Sequence, residues 1–230
     1  MDFVRVLPVV APASTLFIGF AAFLVGAGPA TGGDAKPLFE DGFAAKLQPG
    51  WTWVHEVSSG WKIGDDGLQV RALPGTLWLG ANNALNILVR DLPKGSKDCI
   101  IEVTVMNAPA AGGEQAGLVA YHDDDNYVKL VKESLEGKQW VVMGREETGK
   151  GQMIHRVEVE DKPAHMRLAF SGDMVAGSIQ STDGTWMEVG RCPAISKPPA
   201  PAQVGVLSHG GPNDVERWAT FKQFRISAAP

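Results

Sequence analysis

The chain has 230 residues, of which 44% are hydrophobic, with 27 glycines, 15 prolines and a net charge of −5. That hydrophobic share supports a full core and excludes a disordered chain. The acidic balance, with no run of five like charges, excludes a surface built to bind a phosphate backbone, so nucleic acid is not an expected partner.

Residues 1–30 differ from the rest. Leu7 to Ala27 is apolar and uncharged, Arg5 precedes it, and small residues (Val25-Gly26-Ala27, Gly28-Pro29-Ala30) follow. This is the layout of a secretory signal peptide, although Asp2, Pro8 and Pro12 depart from the pattern. An uncleaved membrane anchor is the alternative, since about 20 apolar residues span a bilayer. Removal of the leader takes away Asp2 and Arg5 together and leaves the charge unchanged. Residues 31–37 read as a short disordered lead, and the chain is expected to be exported: periplasmic, cell-surface or extracellular.

Past Ala35 no amphipathic helix is expected, and period-two stretches recur instead. Short strands are predicted at Trp51–Val54, Gly67–Arg71, Thr76–Leu79 and Asn86–Arg90. Cys99–Met106 (C-I-I-E-V-T-V-M) alternates, with Cys99, Ile101, Val103 and Val105 on one face. Ala116–His122 and Tyr127–Glu133 flank Asp123-Asp124-Asp125-Asn126, residues that suit a tight turn. Gln139–Met143 follows the turn Glu136-Gly137. Ala164–Phe170, Met174–Gln180, Thr185–Val189, Val204–Ser208 and Trp218–Ile226 complete the pattern. A dozen or so strands punctuated by turns predict an all-β sandwich or barrel. Pro193–Pro201 reads as a surface crossing within one domain.

The two cysteines, Cys99 and Cys192, either pair as a disulfide or lie as two buried thiols. The five histidines (His55, His122, His155, His165, His209) are scattered, and no Gly-x-Ser-x-Gly stretch or phosphate loop is present. The acidic turn 123–126 could hold calcium through its oxygens. It lacks the spacing of a long calcium loop, and a hairpin turn accounts for it, so no cofactor or metal is expected.

Several stretches match one pattern in order: Leu38-Phe39-Glu40-Asp41-Gly42-Phe43, Gly50-Trp51-Thr52-Trp53, Leu77-Trp78, Asn86-Ile87-Leu88-Val89-Arg90, Glu114-Gln115-Ala116-Gly117-Leu118, Asp123 to Leu130, Ser181 to Trp186, and Phe221-Lys222-Gln223-Phe224-Arg225-Ile226. Together they resemble the concanavalin A-like lectin/glucanase superfamily. The resemblance is to the C-terminal β-sandwich of family-43 glycoside hydrolases (β-xylosidases) and to a stand-alone bacterial family sharing that sandwich, and it covers residues 38–227. It implies a jelly-roll sandwich of two curved antiparallel sheets and an association with carbohydrate. Lys222 and Gln223 stand where relatives often carry acidic residues, which argues against a structural calcium at the last strand. No stretch resembles the hydrolases' catalytic domain. The Glu-x-Asp-x-x-Glu arrangement of related glucanases is missing, and Glu158-Val159-Glu160-Asp161 has the wrong spacing.

If the predicted strands are neighbours, alternation gathers Asn86 and Arg90, Glu102, Gln115 and Tyr121, and Tyr127, Lys129 and Glu133 on one sheet face, with Trp78 and Trp140 at its mouth. Planar polar side chains beside aromatics suit sugars, which hydrogen-bond through hydroxyls and stack through ring C–H faces. The competing reading is a solvated face with ion pairs such as Arg90–Glu102. Trp53, Trp61 and Trp186 are expected in the core or as staples, and Trp218 near the mouth. Three functions follow: a non-catalytic, lectin-like module for a polysaccharide or oligosaccharide; a structural or protein-docking sandwich at the cell surface; or a polysaccharide-acting hydrolase or lyase. Membrane contact is expected only if the leader stays uncut.

Overall fold

The computed structural model describes residues 37–94, 96, 98–196 and 203–229. The leader 1–30 and nearly all of the lead 31–37 lie outside the described residues. Fifteen strands are present among the described residues: β1 Phe39–Asp41, β2 Trp51–Val54, β3 Trp61–Gly64, β4 Gly67–Arg71, β5 Ile87–Arg90, β6 Cys99–Met106, β7 Gln115–Asp123, β8 Asn126–Leu135, β9 Lys138–Glu147, β10 Lys150–Glu158, β11 Ala164–Ser171, β12 Met174–Gln180, β13 Trp186–Pro193, β14 Gln203–His209 and β15 Trp218–Ala228. Two single 3₁₀ turns, Ser58–Gly60 and Trp78–Gly80, are the only helical segments among the described residues.

The strands form two antiparallel sheets packed as a sandwich. One has the order β13-β12-β11-β6-β15-β4-β3, with β1 also on β15; the other runs β10-β9-β8-β7-β14-β5-β2. β6 shows why the sequence chooses this architecture: Cys99, Ile101, Val103 and Val105 are buried and the residues between them are only partly so. They meet Leu118, Leu130, Met143 and Val206 from the seven-stranded sheet in one core. Each such fully buried aliphatic side chain contributes about 1.5–3 kcal/mol.

Sheet β7-β8-β9-β10 is a meander set by tight turns. Glu136 and Gly137 both have positive φ (56° and 74°), the conformation of a two-residue type I′ hairpin. That turn fixes the register Leu135↔Lys138, Glu133↔Trp140, Lys129↔Gly144 and Tyr127↔Glu146.

Several expectations change. Thr76–Leu79, expected as a strand, is a loop ending in the 3₁₀ turn, because Leu77 buries against the sheet while Leu79 stands 64% exposed at its tip. β1, β3 and β10 were not anticipated. β10 is largely exposed and carries a bulge between Met153 and His155, so it shows no clean alternation. Cys99 and Cys192 are both unpaired and buried. They lie on β6 and β13, with β11 and β12 between them, so three strand spacings of about 4.8 Å separate them. That exceeds the reach of a disulfide. Burial pushes both thiols up to about 11.

Candidate functional site

The outer face of the seven-stranded sheet carries a cleft of about 560 Å³ lined by Trp78, Gln115, Lys129, Glu133, Gly144 and Met153. β7 supplies Gln115 and β8 supplies Lys129 and Glu133, the last two on one face because they are four residues apart in a strand. Gln115 and Glu133 are register partners. Lys129 Nζ donates to Gln115 Oε1 at 2.8 Å, and Gln115 stands opposite Glu133 in the register, where its amide favours the charged carboxylate. The floor is therefore a row: ammonium, amide, carboxylate.

Lys129 is almost wholly buried, and desolvation lowers it to about 8 despite the attraction of Glu133 and Glu146. The same burial raises Glu133, opposed by Gln115, Lys129 and Arg156. A second buried lysine gives the comparison. Lys132, on the other face of β8, is fully buried, and its ammonium donates to Asn107 O, Asp161 Oδ1 and Lys162 O. Lys132 saturates its three donors, whereas Lys129 makes one hydrogen bond among the described residues and otherwise faces the rings of Trp78 (4.7 Å) and Tyr127 (5.8 Å).

Trp78 forms a wall. Its indole packs over Gly144 and Gly151, where an added Cβ would come within 3.2 Å and 2.8 Å of the ring. The loop that carries it is anchored by Glu146, fully buried: Oε2 accepts Leu79 N–H at 2.8 Å and the Tyr127 hydroxyl at 3.0 Å, and Oε1 accepts Gly80 N–H at 3.0 Å. Leu79 is held at φ 58°, an uncommon backbone for a leucine. Beneath the Gly75 side lies His209, opposite Gln115 in the register. It is 1% exposed, neither ring nitrogen completes a hydrogen bond of normal geometry, and burial together with Lys129 pushes it down to about 3. It is a neutral imidazole.

The expected site thus divides. Trp78, Gln115, Lys129 and Glu133 come together. Tyr121 and Tyr127 face the same side, but loop 76–84 covers them, and their hydroxyls donate to Asp124 (2.6 Å) and Glu146 (3.0 Å). Trp140 shares that face, donates its Nε1–H to Leu135 O, and carries Arg156 over its ring at 4.3 Å. Three residues do not belong. Glu102 lies in the opposite sheet, where it pairs with Arg167 at 2.6 Å rather than with Arg90. Arg90 stacks 3.1 Å from the Phe39 ring centre and beside Trp51, because its strand face, shared with buried Leu88, points toward the sandwich interior. Asn86 is buried, and its Oδ1 accepts Val57 N–H. Trp218, expected at the mouth, is on the other sheet under Lys62, and Trp186 stacks with His165 and Arg167 on that sheet's outer face. Glu146, His209 and Met153 were not anticipated.

The acidic turn is internally engaged: Asp123 Oδ1 accepts Asp125 N–H and Asn126 Nδ2, Asp124 Oδ2 lies 2.8 Å from His55 Nε2, and Asp125 Oδ1 accepts Asn82 Nδ2. Among the described residues no group of three or more His, Cys, Asp or Glu is placed to hold a metal.

Two antiparallel sheets with a loop-bounded cleft on the outer face of one define a concanavalin A-like β-sandwich. Residues 40–227 match the family model of the β-xylosidase C-terminal concanavalin A-like domain, and the chain belongs to that family. The solved structure of the GH43 protein BlXynB from Bacillus licheniformis is similar, with a TM-score of 0.74 at 20% identity over 83% of this chain and 39% of that one. A xylan β-1,4-xylosidase from Bacillus halodurans gives 0.69 at 17% identity, over 82% and 38%. The chain thus spans about two fifths of the length of these hydrolases. A functionally unknown protein from Saccharomyces cerevisiae is matched over 97% of its length, with a TM-score of 0.59 at 15% identity over 78% of this chain. No curated protein matches.

Proposed function

We propose that the chain is an exported carbohydrate-binding module without catalysis of its own, and that the cleft beside Trp78 is its binding site. The observation that carries this reading is the contrast between the two buried lysines. Burying an ammonium is costly unless its donors are met. Lys132 meets that demand within the protein, while Lys129 keeps donors toward a cleft with an indole wall and a carboxylate at hand. Sugar hydroxyls supply acceptors for Lys129, a hydroxyl donor for Glu133 and a C–H face for Trp78. Membership of a family found in xylosidases supports carbohydrate as the ligand class.

The carboxylates do not support glycoside hydrolysis. Glu146 pairs with Tyr127, six residues from Glu133 along β8. Both Glu146 oxygens are already occupied by the Trp78 loop and Tyr127. Export rests on the apolar run Leu7–Ala27. A second reading, a protein-docking surface, is favoured by the exposed Leu79 and Met153 beside the cleft.

The test is a glycan array with residues 31–230, followed by titration calorimetry with Trp78→Ala as control. Saturable glycan binding lost in Trp78→Ala supports the module. Absence of binding to any glycan moves the assignment to docking.

A further inference from the structure

We propose that the cleft receives the terminal residue of a neutral glycan chain and excludes internal stretches of a polymer. The inference rests on the carbohydrate reading and specifies the ligand of that same site.

The cleft is walled on successive sides. At the Tyr127 end the loop from Thr76 to Ala84 lies on the sheet, with Leu77 and Ala84 buried against Ile87, Val89, Val119, Tyr121 and Tyr127. Its attachments are many: Glu146 to Leu79 and Gly80, Asn82 Nδ2 to Asp125, and the reciprocal Asn83–Thr76 pair of Asn83 N–H to Thr76 O at 3.0 Å and Thr76 N–H to Asn83 Oδ1 at 2.8 Å. At the other end of β8, Gly112 bridges to Ser134, and the turn before it is tied down by Glu114, which accepts Ala110 and Ala111 N–H. Gln139 Nε2 adds a bond to Pro109 O. On the β14 side, Gly75 and Gly210 close the floor, with Gly210 N–H donating to Leu73 O. On the β9–β10 side Trp78 covers Gly144 and Gly151. A polymer running along or across the strands meets a wall, whereas a chain end entering from outside does not.

The floor chooses neutral residues. Lys129 offers N–H donors and Glu133 offers acceptors, with Gln115 between them. Adjacent hydroxyls donate and accept, so a diol satisfies both ends of the row. A carboxylate would meet Lys129 but sit against Glu133, and like charges held together in a poorly solvated site repel.

The experiment is calorimetry on residues 31–230 with defined probes: neutral xylo-, arabino-, cello-, manno- and galacto-oligosaccharides of two to six residues, their borohydride-reduced forms, oligogalacturonate, and cyclic glucans, which have no ends. The expected result is binding to a neutral series with affinity constant within twofold from trimer to hexamer and one protein per chain. Cyclic glucans should show no binding, oligogalacturonate at least tenfold weaker binding, and Trp78→Ala loss of binding with an unchanged far-ultraviolet spectrum. Affinity that climbs with chain length, capture of a cyclic glucan, preference for the uronate, or full binding by Trp78→Ala overturns chain-end recognition while leaving carbohydrate binding standing. Failure of every glycan, including those on the array, removes both readings.

Discussion

The indole of Trp78 rests on Gly151 so closely that a β-carbon there would lie 2.8 Å from the ring. The glycine is therefore part of the site although it offers no functional group. Gly151→Ala is expected to tilt Trp78 away from the cleft, weaken ligand binding at least tenfold, and cost about 1–3 kcal/mol through overpacking. Tryptophan fluorescence, calorimetry and urea denaturation measure the three effects, and unchanged affinity would show that Trp78 does not touch the ligand.

The Glu146 carboxylate holds three donors, two of them backbone N–H groups of the Trp78 loop. Glu146→Gln keeps the shape but has one oxygen for three donors, so about 2–3 kcal/mol of stability is lost. Hydrogen exchange at Leu79 and Gly80 should speed up more than at β6, where the loop has no influence. Equal acceleration everywhere would mean that Glu146 supports the whole sheet and not this loop.

Lys129 sits at about 8, so raising the pH from 7 to 9 removes the charged donor, and glycan affinity should fall about tenfold. Stability should not fall between pH 8 and 9. The folded value is below the ordinary one, so the unfolded chain carries more protons there and folding gains as pH rises. Above pH 9 the sign reverses, because Cys99, Cys192, Tyr121 and Tyr127 are all raised in the folded chain. Parallel titration and urea denaturation at pH 7, 8 and 9 separate loss of the site from loss of the fold. A flat affinity profile would remove Lys129 from the binding role.

Alternation shows which residues of a strand share a face, and it identified β6, β7, β8, β11 and β14. It does not say which of two sheets a strand joins. Glu102 was grouped with Lys129 for that reason, although β6 sits among β11 and β15. Arg90 and Asn86 failed differently: parity groups Arg90 with Leu88 correctly, but it does not tell the inner side of a strand from the outer, and that side faces the core, while Asn86 precedes β5 with a positive φ of 56°, so parity does not carry back to it. Glu146, by contrast, was within reach. The Glu136-Gly137 hairpin signal implies the pairing Leu135↔Lys138, and counting outward along both strands sets Glu146 against Tyr127. The loop that roofs the tyrosines had no such signal, because its packing depends on Leu77 meeting side chains from β5, β7 and β8.

His209 is neutral and buried at about 3 in the folded chain, against the ordinary 6.5. The unfolded chain therefore binds the extra proton as pH falls below 6.5, and the folded form loses about 2 kcal/mol by pH 5. His165, lowered by burial, adds in the same direction, while the raised Glu133 opposes it. Urea midpoints at pH 7 and 5 should differ accordingly, and His209→Leu should flatten the difference. A His209→Leu variant with the original slope would assign the acid sensitivity elsewhere.

β15 is the last described strand, yet it lies inside its sheet, between β6 and β4, and also receives β1. Phe39 pairs with Ile226, nearly the full length of the domain away in sequence. During synthesis β4 and β6 therefore wait, with the edges that β15 will fill unpaired, until residues 218–228 arrive. The meander β7-β8-β9-β10 needs only near neighbours and can assemble first. The nascent chain thus passes through a stage in which the four-stranded meander is built and the other sheet stays open along two apolar edges, a window for chaperone capture or strand-swapped aggregation that closes only with β15.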